Sequence, residues 1–113
     1  MGPAINYERV SNGLPALVPG TNIDSRAHYI SLDMAKLKQL IYDNDYGIAC
    51  QDVYQVTGYR SVDDLVTAVM TIWKSEAVRF NINILNDSVT YGAVDVVEDN
   101  GIFYITYLAS DYP

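Results

Sequence analysis

This chain offers one cysteine, Cys50, and one histidine, His28. A thiolate and an imidazole base are the pair that nucleophilic catalysis would need. Cys50 sits in the apolar run Ile48-Ala49-Cys50 and reads as a small buried hydrophobe. Being the sole cysteine, it can form no internal disulfide. His28 lies on a helical stretch, where Asp24 one turn earlier can pair with it; a partly exposed helix histidine is expected. Asp43-Asn44-Asp45 has the start of a calcium loop, but Tyr46 stands where a third ligand would begin and the closing Glu is missing. The run reads as a solvated helix end. Asp63 and Asp64 fall in the first turn of a helix, where the helix dipole favours carboxylates. Ser31 and Ser75 have no histidine in sequence position to activate them. Glycine-rich phosphate loops are missing. No catalytic residue, metal ligand or cofactor is therefore expected.

What the chain has in abundance is tyrosine, ten in 113 residues. Tyrosine fills cores, and it also brings large area and a hydroxyl to interfaces at low entropy cost. Tyr29, Tyr59, Tyr104 and Tyr107 are the candidate binding surface. Half the residues are hydrophobic, enough for a core, and 113 residues fit one domain over 1–113. The net charge is −7 and the seven Lys and Arg residues do not cluster. That argues against nucleic acid and against an anionic membrane surface as partners. It suits solubility or a basic protein partner. No run is long and apolar enough for membrane insertion. Met1-Gly2-Pro3-Ala4-Ile5-Asn6 has neither the basic start nor the apolar stretch of a secretory signal, so none is expected in this chain.

The elements follow from spacing. Residues 4–11 form a short helical candidate that stops near Asn12-Gly13. Pro15 and Pro19 mark an irregular connector. Thr21 with Asp24 suggests a capping box, after which Ile23, Ala27, Ile30, Met34, Leu37 and Ile41 share one face of a long helix. Asp43-Asn44-Asp45 ends it. Tyr46 to Val56 reads as a strand and 57–60 as a turn. Ser61 and Asp64 cap a second helix to about Ser75, with Val62, Leu65, Val66, Val69, Met70 and Trp73 on its apolar face. Residues 76–87 are ambiguous between helix and loop. Two β-rich runs, 89–98 and 102–109, are joined by Asp99-Asn100-Gly101, whose Asn-Gly pair favours a type I′ turn. The order predicts an α/β (α+β) fold: an α–β–α sandwich with a mainly antiparallel three-stranded sheet and two main helices.

This order, and the residues on it, resembles the CAP superfamily of cysteine-rich secretory, antigen-five and pathogenesis-related proteins. Asn6, Arg9, Gly13-Leu14 and Leu17 match the family's opening. Ala27, Ser31 and Asp33-Met34-Ala35 match its first long helix. The segment from Trp73 through Ser75 and Arg79 to Asn81-Ile82 matches a bacterial Trp-x-Ser-x-x-His-Arg-x-Asn-Ile element. Gly92 and Phe103-Tyr104-Ile105-Thr106-Tyr107 match the closing strands. The resemblance implies a cleft that holds two His and one or two acidic residues in the family, which bind a divalent metal in some members. On this chain those positions fall on Ile30, Ile48 and Val78. An aliphatic side chain neither ligates zinc nor transfers protons.

A degenerate, non-catalytic CAP-like module is therefore the leading expectation. It would act by contact with a protein partner or by self-association, outside the cell (secreted or on a surface) or as a virion component such as a decoration protein. A second possibility is a lipid or other apolar small molecule held in an aliphatic cleft at Ile30, Ile48 and Val78. The third is a metal-dependent hydrolase with a relocated site, which requires His28 to meet a carboxylate cluster in space.

Overall fold

The computed structural model describes residues 2–42, 50–58 and 61–113. Seven elements follow in order: α1 (Gly2–Ser11), α2 (Thr21–Leu37), β1 (Cys50–Thr57), α3 (Val62–Ser75), α4 (Ala77–Asn83), β2 (Tyr91–Asp99) and β3 (Ile102–Ser110). The strands form one antiparallel sheet in the order β1-β3-β2, so β3 is central although it is made after both neighbours. Asp99 pairs with Ile102 across the hairpin turn. Asn100 and Gly101 both have positive φ, 52° and 78°, as a type I′ turn requires.

Alternation along the strands divides the interior into two layers. On one face, Tyr104 and Leu108 of β3, with Val53 of β1 and Ala93 of β2, meet α2. The helix offers Ile23, Ala27, Ile30, Ser31, Met34 and Ala35, the expected spacing of four and three. On the other face, Ile105, Tyr107 and Ala109 pack with Cys50, Ile5 of α1, Leu65, Val69, Met70 and Trp73 of α3, and Phe80 of α4. The fold is thus α–β–α. Each fully buried aliphatic or aromatic side chain contributes about 1.5–3 kcal/mol from burial.

Local signals place α3 as expected: Ser61 is the N-cap and accepts the Asp64 amide at 3.2 Å. At α2 the structure differs. Its N-cap is Gly20, and no side chain caps it. Instead the carbonyl oxygen of Pro113 accepts the Asn22 and Ile23 amides at 2.9 and 3.0 Å. A Cβ on Gly20 would overlap Pro113, which explains the glycine. The helix also ends a turn before Ile41, at Lys38 in the left-handed conformation. That reversal lets Ile41 fold back onto the Ile30–Met34 cluster. In the ambiguous stretch, Glu76 leaves helical geometry (φ −94°, ψ 68°) and α4 begins anew.

Candidate functional site

His28 meets a carboxylate, but not the expected one. Its Nδ1 lies 3.1 Å from both oxygens of Asp95 on β2, because α2 crosses that strand at this level. Ser31, one turn on, is buried. Its hydroxyl lies 2.7 Å from the Thr106 hydroxyl and 3.3 Å from the Asp95 carbonyl oxygen, to which it donates. Neither contact is to the imidazole, so His28, Asp95 and Ser31 do not form a relay to a nucleophile. Among the described residues no three His, Cys, Asp or Glu side chains come close enough to hold a metal ion. The Asp43-Asn44-Asp45 run lies outside the described residues.

The residues that carry the family resemblance hold the frame. Asn6 binds Leu17 in both directions: its Oδ1 accepts the Leu17 amide at 2.8 Å and its Nδ2 donates to the Leu17 carbonyl at 3.3 Å. Arg9 is fully buried. Its Nε donates to Pro15 O at 2.9 Å, and its Nη1 to Ile84 O at 2.9 Å and Asn86 O at 2.7 Å. One side chain thereby joins α1, the connector and the segment after α4. Trp73 is buried 6.2 Å from the Tyr107 ring, tilted by 54°. Lys74 pairs with Glu8 at 3.0 Å.

Cys50 is buried in the core beneath α4, with its thiol 3.5 Å from the Ile82 carbonyl oxygen. Burial pushes its pKa up, only partly opposed by Arg9. Burial likewise raises the Tyr107 phenol far above its ordinary range, with the Cys50 thiol adding to the rise. Both groups stay neutral near pH 7, and a buried neutral thiol is a poor nucleophile.

The expected tyrosine surface does not assemble. Tyr29 is 65% exposed on α2. Tyr104 and Tyr107 are completely buried, because β3 is the central strand and helices cover both its faces. The Tyr107 hydroxyl donates to Asn83 O at 2.8 Å. Tyr59 lies outside the described residues. Of the aliphatic cleft positions, the two that are described, Ile30 and Val78, do not face one another as one buried site. Ile30 is packed under α2 with Met34, Val53 and Tyr104. Val78 is 73% exposed on α4, and Ile48 lies outside the described residues.

A concave site occurs elsewhere. A pocket of about 470 Å³ opens where α1, the connector and β2 meet, lined by Pro3, Ile5, Asn6, Leu17, Pro19, Gly92, Ala93, Val94 and Tyr107. It is mainly apolar, and the side-chain polar groups of Asn6 and Tyr107 are committed to Leu17 and Asn83. The pocket lies against the outer edge of β2. There Val18 pairs in parallel with Tyr91, its amide donating to Thr90 O at 2.9 Å and its carbonyl accepting the Gly92 amide at 3.0 Å. Pro19 follows, and the connector then turns away into α2, where the Gly20 carbonyl oxygen accepts the Asp24 amide. Because outward groups alternate along a strand, the amides and carbonyls of Val94, Val96 and Glu98 face the same side as those of Gly92. Among the described residues they have no backbone partner. This pairing joins residues more than seventy positions apart, and no local signal marked it.

No protein-family model matches the chain, and no curated protein does. Solved structures share its fold. An outer surface protein from Borrelia burgdorferi superposes with a TM-score of 0.76 over 99% of this chain and 90% of its own, at 10% identity. A cysteine-rich secretory protein from Staphylococcus aureus gives a TM-score of 0.50 over 95% of this chain, at 15% identity. The chain spans 36% of that staphylococcal protein. The secretory-protein fold read from the motifs is thus the fold this chain resembles.

Proposed function

We propose that this protein is a non-catalytic, CAP-like module that acts by protein–protein contact outside the cell, on a surface. The observation that carries the reading is the chemistry of the open pocket. Its walls are mainly apolar, and the side-chain polar groups among the described residues that line it, on Asn6 and Tyr107, already serve the frame. Such a site can bind but offers no acid, base or nucleophile. The fold shared with an outer surface protein and a secretory protein favours the extracellular setting over the virion one. No described helix is long and apolar enough to cross a membrane.

Ester, peptide and phosphoester reporters test the non-catalytic part. The expected rate is that of buffer alone. A rate above buffer that falls in a His28→Ala variant would overturn it. Light scattering across concentrations tests the contact: a constant monomer mass points to a heterologous partner, and a rising mass to self-association. The pocket also supports a second reading, because about 470 Å³ suits a small apolar molecule. In that case an apolar dye would bind the wild-type chain and not Val94→Lys.

A further inference from the structure

We propose that the open edge of β2, from Val94 to Glu98, receives an extended peptide segment of a protein partner as an added strand. The segment places an apolar side chain in the pocket beside Val94 and a Lys or Arg at the Glu98 end. This rests on the contact reading above and specifies its mode. Three observations converge on one edge. The outward amides and carbonyls of Val94, Val96 and Glu98 have no backbone partner among the described residues. An unpaired row of this kind is a template for another strand. The protein already uses the row once: Val18 pairs there, and the pairing ends where Gly20, the next residue that would face β2, becomes the N-cap of α2. The apolar pocket begins where Val18 leaves, at Gly92 to Val94, with Val96 39% exposed next along the same face.

Charge selects the occupant. β2 carries Asp95, Glu98 and Asp99 and no basic residue. Asp95 and Asp99 are turned to His28 and Lys38 on the α2 side, whereas exposed Glu98 is on the pocket side. A second copy pairing edge to edge would bring two such acidic strands together in a chain of net charge −7, which is repulsive. A basic partner gains instead. Val94 and Glu98 are four residues apart on one face, about 13 Å. The matching segment therefore carries its apolar and basic residues four apart.

The test uses the full ¹⁵N-labelled chain and a blocked heptapeptide, Thr-Leu-Thr-Thr-Thr-Lys-Thr. Binding is expected to shift the amides of Val94, Val96 and Glu98 and slow their exchange with solvent, while Val53 and Gln55 on the opposite edge stay unchanged. Replacing the peptide's Leu by Ser should weaken binding about tenfold or more. Replacing its Lys by Glu should weaken it about two- to fivefold, and Glu98→Lys in the protein should reverse that preference. Val96→Pro, which removes one outward amide, should abolish binding while the remaining resonances keep their positions. If that variant unfolds, the Glu98→Lys reversal decides alone. No shift at millimolar peptide, shifts confined to pocket side chains, or indifference to Glu98→Lys would each overturn strand addition. A protein partner bound without moving these three amides would overturn it and leave the contact reading standing. Cleavage of the peptide would overturn both.

Discussion

At the scale of single residues, Arg9 bears the largest consequence. Its guanidinium is buried against three carbonyl oxygens from Pro15, Ile84 and Asn86. Removing it strands three acceptors and empties their centre. Arg9→Ala is expected to lower stability by about 3 kcal/mol or more, read from the urea midpoint. Arg9→Lys should recover only part, because an ammonium cannot present the same fork. Cys50 and Tyr107 give a prediction of opposite character. Their folded pKa values are raised, so the unfolded chain loses these protons first as pH rises. Their contribution is complete below the ordinary thiol range and declines as pH climbs above roughly 8.5. Stability should therefore fall on the alkaline side, and a Cys50→Ala, Tyr107→Phe double variant should flatten the fall. The sequence marked Arg9 as a motif residue and Cys50 as a buried hydrophobe. It paired His28 with Asp24 because one helical turn was the only distance visible to it. Asp95 lies on another element, and only the packing of α2 on β2 reveals it.

At the scale of elements, success and failure divide by the reach of the signal. Ser61 caps α3 from three residues away, and Asn100-Gly101 shapes the hairpin between adjacent residues; both were legible. The start of α2 was legible at Thr21 but its capping was not: the N-cap is Gly20, and the Asn22 and Ile23 amides are taken by the Pro113 oxygen, far along the chain. Gly20→Ala tests this directly. The added methyl collides with Pro113 backbone, so a loss of about 1–3 kcal/mol is expected. The amides of Asn22 and Ile23 should then exchange faster, while those in the middle of α2 should not. The end of α2 offers the reverse effect. Lys38 adopts a left-handed backbone with φ 56°, and Lys38→Gly should stabilise by about 0.5–1 kcal/mol in thermal unfolding.

At the scale of the molecule, one fact of topology accounts for the largest misplacement. Tyr104 and Tyr107 look like surface tyrosines if the closing hairpin is an edge. They are core because β3 inserts between β1 and β2, and strand order has no local signature. The fold class was legible from periodicity alone, whereas the pocket beside β2 was not, because Val18 and Tyr91 meet only after the sheet is built. A chain cut after Gly101 should retain helical signal yet show no cooperative unfolding, since neither β1 nor β2 then has a strand to pair with. The same topology governs birth on the ribosome. While β3 is still inside the exit tunnel, the apolar sides of α2 and α3 have emerged with no sheet to cover them. The nascent chain is thus obliged to wait, sticky and unpaired, until Ile102–Ser110 is released. Synthesis runs from one end to the other, but folding can begin only when the strand between the first two arrives.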